Sequence, residues 1–91
     1  MAAGSRRHAV ELYNLACKLD QEPSGRAEAV KLYRRALELR PDHVNTLCNL
    51  ACMLEQEPSG CAEAERLYRR ALELQPDHVN TLCNLACMLE Q

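Results

Sequence analysis

Apolar positions recur at intervals of three and four along nearly the whole chain, and short polar breaks interrupt them at regular distances. From Arg6 to about Gln21, Ala9, Leu12, Leu15, Ala16 and Leu19 fall on one side of a helix, because residues three and four apart share a helical face. Glu22-Pro23-Ser24-Gly25 breaks the pattern. Pro23 pushes the residue before it out of helical geometry, and Gly25 accepts a turn. A second stripe of Ala29, Leu32, Tyr33, Ala36, Leu37 and Leu39 predicts a helix from about Arg26 to Arg40, which Pro41 stops. The third predicted helix, His43 to about Gln56, buries Leu47, Leu50, Ala51 and Leu54. Ser5 and Asp42 stand where helix N-caps are expected. The turn returns as Glu57-Pro58-Ser59-Gly60, a second-type helix runs from Cys61 to Gln75, Pro76-Asp77 repeats the break, and His78 to Gln91 is the last helix.

The regularity is a copied unit. Pro41 to Gln56 recurs letter for letter at Pro76 to Gln91, an offset of 35 residues. Upstream, Leu12, Asn14, Leu15, Ala16, Cys17, Leu19 and Gln21 form a degenerate third copy. The stretches Glu22–Gln56 and Glu57–Gln91 differ only at Arg26/Cys61, Val30/Glu65, Lys31/Arg66 and Arg40/Gln75. The expected fold is therefore all-α: an α-solenoid of antiparallel helical hairpins, five helices in the order A-B-A-B-A. Short turns make each helix antiparallel to its predecessor, and no helix buries its stripe alone, so the hairpins must stack. The expected divisions are a flexible tail at 1–5, one repeat at 6–40, a second at 41–75 and a half repeat at 76–91, all one domain. Copies this alike point to recent duplication or deliberate assembly, although an idealised design would avoid so many thiols.

Composition narrows the function classes. The 91 residues carry a formal net charge of −2 with the signs interspersed, which gives no general attraction to nucleic acid or anionic membrane. Phe and Trp are absent and Tyr numbers three, so the core must be built from Leu, Ala, Val, Met, Cys and Tyr. No apolar run approaches the ~18 residues of a membrane span, and Arg6-Arg7 is not followed by an apolar signal core. A cytoplasmic chain is expected. Its six cysteines are expected to be reduced thiols, because Cys48/Cys52 and Cys83/Cys87 are i,i+4 pairs, which a regular helix does not point into disulfide geometry.

One set of residues resembles a known family. Leu47-x-x-Leu50-Ala51-x-x-Leu54, then Ala64-x-x-x-Tyr68, then Ala71, then Pro76, is similar to the tetratricopeptide repeat, whose pattern is W-x2-L-G-x2-Y, A-x3-F and P over 34 residues. Leu12, Leu15, Ala16, Leu19, Ala29, Tyr33, Ala36 and Pro41 repeat the set. Leu stands for the first aromatic, Ala for the small Gly, and the period is 35, the extra residue falling most simply in the Glu-Pro-Ser-Gly turn.

The resemblance implies a non-catalytic protein-interaction scaffold with no cofactor, whose A helices form a concave groove for a peptide or protein partner. Tyr13, Cys48 and Cys83 would line that groove, as would Cys17, Cys52 and Cys87, with Asn14, Asn49 and Asn84 at one recurring position and Asn45 and Asn80 at another. Relatives that grip a C-terminal carboxylate pair an Asn matching Asn49 with Lys and Arg. Here those places hold Tyr13, Cys17, Asn80 and Asn84, so that ligand is not expected.

Other chemistries find less support. The cysteines could form a soft-metal surface, but no Cys or His completes a zinc-finger set, and small apolar filling explains them, so no metal is expected. The pairs Asp42-His43 and Asp77-His78 have no nucleophile at a fixed offset, so no catalytic residue is assigned. Arg34, Arg35, Arg66, Arg69 and Arg70 would suit single-stranded RNA, as in the related pentatricopeptide repeat. The acidic balance and the i,i+4 pairs Glu65–Arg69 and Arg69–Glu73 favour a solvated face instead. The last helix copies an internal one and lacks polar capping. Part of the stripe Leu82, Leu85, Met88 and Leu89 is expected to be exposed there and to drive homo-oligomer formation, which makes a self-associating structural repeat the alternative function.

Overall fold

A computed structural model describes residues 2–90, with side chains described from Arg7 onward. Among the described residues the chain forms α1 (Ala2–Leu19), α2 (Arg26–Leu39), α3 (Val44–Glu55), α4 (Cys61–Leu74) and α5 (Val79–Glu90). Single 3-10 turns at Pro23–Gly25 and Pro58–Gly60 close the two hairpins. The architecture is the all-α helical repeat expected: α1 packs on α2 and α3 on α4 as hairpins, and α2 on α3 and α4 on α5 join the hairpins into a stack.

The core repeats with the sequence. Ala16, Ala29, Tyr33, Leu50 and Met53 form one buried cluster. Cys48, Ala51, Ala64, Tyr68 and Leu85 form the next. Alanines where A and B helices cross allow close approach, and one fully buried tyrosine per hairpin fills the remaining space.

Gly25 and Gly60 serve close approach. Both have right-handed backbone angles, but a Cβ on either would collide with the carbonyl oxygen of Leu19 or Leu54 at the end of the preceding helix. Glycine thus lets the B helix fold tightly back on the A helix.

Two local expectations need correction. Ser5 lies inside α1, which begins at Ala2, where the strong helix formers Ala2 and Ala3 offset Gly4; Met1 lies outside the described residues. Asp42 does not cap α3, whose N-cap is His43 in extended conformation. The His43 Nδ1 sits 2.5 Å from Thr46 Oγ1, and His78 Nδ1 sits 2.6 Å from Thr81 Oγ1. His78 also accepts the Thr81 N–H at 3.3 Å, which satisfies an N-terminal donor of α5. Thr46 and Thr81 are buried, so each hydroxyl needs such a partner, and the imidazole supplies it.

Candidate functional site

The A helices α1 and α3 run side by side, and their facing side chains form a hydrogen-bonded cluster. Asn49 donates through Nδ2 to Tyr13 Oη at 3.2 Å and points at Cys17 Sγ and Tyr33 Oη at 3.6 and 3.5 Å. Tyr33 in turn donates to Asp20 Oδ2 at 2.6 Å. Burial first, and then the bond to Asp20, push the Tyr33 phenol well above its ordinary range, so it remains a donor. Tyr13 stands 6.1 Å from Tyr33 and edge-on to His43 at 5.1 Å, which fixes the upper wall of the cluster.

The next pair of A helices repeats the arrangement with softer atoms. Asn84 donates to Cys52 Sγ at 3.2 Å and points at Cys48 Sγ at 3.7 Å, while Tyr68 donates to Cys52 Sγ at 3.2 Å. Hydrogen bonding from Cys52, with help from Thr81 and Asn84, lowers the Cys48 thiol to about 6 against the opposing effect of burial. Cys52 moves the other way, raised by its bond to Cys48 and by burial. Cys48 is buried, so this polarised thiol faces the core rather than a reagent.

Between the end of α1, the start of α2 and the last turns of α3 lies a hollow of about 500 Å³. Cys17, Asn49 and Cys52 line it, together with Asp20, Gln21, Arg26, Met53 and Gln56. The Arg26 guanidinium donates to Gln56 Oε1 across its mouth, and Gln56 Nε2 donates to the Cys52 carbonyl at 3.2 Å. Arg26 was not among the expected groove residues. The signal for it was present, since Arg26 is one of the few positions where the two copies differ, and its counterpart is Cys61.

The remaining groove candidates scatter. Asn14 is exposed outside the lining of this hollow. Asn45 sits in a separate depression with Arg40, Asp42, His43 and Gln75, while Asn80, Cys83 and Cys87 are exposed on α5. Among the described residues, no group of three or more His, Cys, Asp or Glu side chains is placed to hold a metal ion. No described helix is long and apolar enough to cross a membrane.

The stripe on the last helix is divided. Leu85 is only 8% exposed and belongs to the core with Tyr68 and Ala64, and Met88 is partly buried against them. Leu82 and Leu89 are the exposed members, at 44% and 56%. The helix turns Leu85 toward α4, so the stripe wraps around α5 instead of facing one way.

A family model described as tetratricopeptide repeat matches residues 26–43. Over that stretch the chain is similar to the tetratricopeptide repeat. The matched stretch is α2 and the break after it, where Ala29, Tyr33, Ala36 and Pro41 carry the resemblance. In the fold, the first three of these matched positions are the buried face of α2, and Pro41 lies in the connection between α2 and α3. No curated protein matches the chain.

Proposed function

We propose that this chain is a non-catalytic protein-interaction scaffold, as tetratricopeptide repeats are in general, and that it holds an extended peptide along its A helices, with the hollow between α1 and α3 as the principal contact. In this reading residues 6–40 and 41–75 are two repeats and 76–91 a half repeat of one unit.

The observation that carries the reading is the polar inventory at the hollow. Arg26, Asn49 and Gln56 present a guanidinium and two carboxamides around a floor of Cys17, Cys52 and Met53. Carboxamides pair with both the N–H and C=O of a peptide backbone, and the guanidinium offers a carboxylate or carbonyl a forked donor. The volume falls within the range of ligand sites. Charge favours a peptide over RNA: two of the B-helix arginines already hold acids, Arg34 with Glu63 and Arg69 with Glu65.

Peptides selected by display on the reduced protein test the reading. Arg26→Ala and Gln56→Ala, at surface positions, are expected to weaken a selected peptide about tenfold or more with unchanged circular dichroism. Selected peptides that bind both variants as tightly as the parent would place the contact elsewhere and contradict the reading.

A further inference from the structure

Two thiols of α3 share one set of hydrogen-bond donors. Cys48 and Cys52 stand one turn apart, on one face of the helix. The Asn84 carboxamide of α5 carries two N–H groups and lies 3.2 Å from Cys52 Sγ and 3.7 Å from Cys48 Sγ. The Tyr68 phenol of α4 donates to Cys52 Sγ at 3.2 Å. Donors from two neighbouring helices thus converge on a pair of sulfurs.

The copied unit shows what is particular to this pair. At the equivalent places upstream, Tyr13 stands for Cys48 and Cys17 for Cys52. There Asn49 donates to the Tyr13 phenol at 3.2 Å, and Tyr33 gives its proton to Asp20 at 2.6 Å. The same Asn and Tyr positions are turned onto oxygen in the first case and onto sulfur in the second. At the equivalent places downstream, Cys83 and Cys87 repeat the spacing but are exposed. A neutral thiol is a weak acceptor, yet Cys52 takes two donors at 3.2 Å. That arrangement suits sulfur carrying negative charge, as a thiolate does when it ligates a metal.

The ligand count decides the ion. Among the described residues no group of three or more His, Cys, Asp or Glu side chains includes the pair, so a tetrahedral zinc site lacks its ligands. Two thiolates suit a soft monovalent ion that accepts two sulfurs in near-linear coordination, which is Cu(I). Cys52 lines the hollow between α1 and α3, so an ion arriving there meets its sulfur first, and the buried Cys48 closes the site behind it. A bare ion passes where a bulky alkylating reagent does not.

We propose that Cys48 and Cys52 bind one Cu(I) between their sulfurs, with Asn84 and Tyr68 donating to the thiolates. Each thiol releases its proton to solvent as it binds. The ion and the two thiolates then carry one net negative charge, which the N–H and O–H donors offset in place of water. The site borders the hollow, but its test uses no peptide and is independent of that reading.

The probe is Cu(I), supplied anaerobically as its acetonitrile complex to the reduced chain in competition with a chromogenic Cu(I) chelator. One variant carries Cys17→Ser, Cys61→Ser, Cys83→Ser and Cys87→Ser and keeps the α3 pair. The other carries Cys17→Ser, Cys48→Ser, Cys52→Ser and Cys61→Ser and keeps the α5 pair. The first is expected to hold one Cu(I) per chain, with two sulfur neighbours by X-ray absorption, at least about tenfold more tightly than the second. Tyr68→Phe and Asn84→Ala in the first variant are each expected to weaken the ion about tenfold, the usual cost of losing a hydrogen bond to a metal ligand. The parent chain gives a check that replaces no cysteine: one equivalent of Cu(I) is expected to protect Cys52 from alkylation while Cys83 and Cys87 still react. Loss of all the ion to the chelator overturns the proposal, as does equal affinity in the two variants. So do an ion shared between two chains, affinities unmoved by both Tyr68→Phe and Asn84→Ala, or protection of Cys83 and Cys87 in place of Cys52.

Discussion

Tyr33 donates its phenolic proton to Asp20 across 2.6 Å and ties α2 to the end of α1. Its copy Tyr68 finds Glu55 at the position equivalent to Asp20 and donates instead to the Cys52 sulfur at 3.2 Å. A carboxylate is a strong acceptor and a thiol a weak one. Two tyrosines with the same burial thus hold their hairpins with unequal polar bonds.

Tyr33→Phe is accordingly expected to destabilise the fold by about 1.5–3 kcal/mol, the range for a hydrogen bond to a charged group. Tyr68→Phe is expected to cost about 0.5 kcal/mol, at the lower end for a neutral bond. Urea denaturation of the two variants under reducing conditions checks the order. Equal losses would show that the carboxylate contributes nothing beyond the thiol.

Acid sensitivity should appear in two windows. Burial, with the nearby Arg40, lowers His43 below its ordinary value despite Asp42. The unfolded chain then binds the proton more readily than the folded one, so stability is full above about pH 6.5 and falls as pH drops below it. Glu63, drawn down by Arg34, loses its contribution only at lower pH, below the ordinary carboxylate range. His43→Gln is expected to flatten the stability profile between about pH 7 and pH 5 and leave the lower window in place. A profile unchanged by that substitution would remove His43 as the cause.

The six thiols should react in the order of their surroundings. Cys83 and Cys87 are exposed and Cys48 is buried, although Cys48 and Cys83 sit in identical local sequence. Timed alkylation of the native protein, read by mass spectrometry on variants that keep one cysteine each, is expected to modify Cys83 and Cys87 first and Cys48 last. The lowered Cys48 thiol makes this a sharp test, since thiolate character alone would reverse the order. Cys48 modified as fast as Cys83 would mean that the second hairpin is open.

The helices and turns were legible because the determinants are local. Three-and-four spacing marks the stripes, and Pro23, Pro41, Pro58 and Pro76 punctuate them. The role of Gly25 and Gly60 was half legible: a turn was evident, but the approach to the Leu19 and Leu54 carbonyls depends on how the hairpin closes. Arg26 reaches Gln56 across thirty residues, and no local pattern encodes that meeting. The split between Leu85 and Leu82 was illegible for a stronger reason. Their counterparts Leu50 and Leu47 have the same neighbours in sequence, and only the packing around each helix tells them apart.

That split is also where the account is most exposed to test, because it holds that neighbouring helices, rather than local sequence, assign each copied residue its role. Thermal and urea denaturation of Leu47→Glu against Leu82→Glu compares one letter change in two identical helices. Leu47→Glu buries a charge at a position only 3% exposed and is expected to cost on the order of 3–5 kcal/mol or to unfold the chain, while Leu82→Glu is expected to stay within about 0.5 kcal/mol of the parent. Losses of similar size in the two variants would contradict the account.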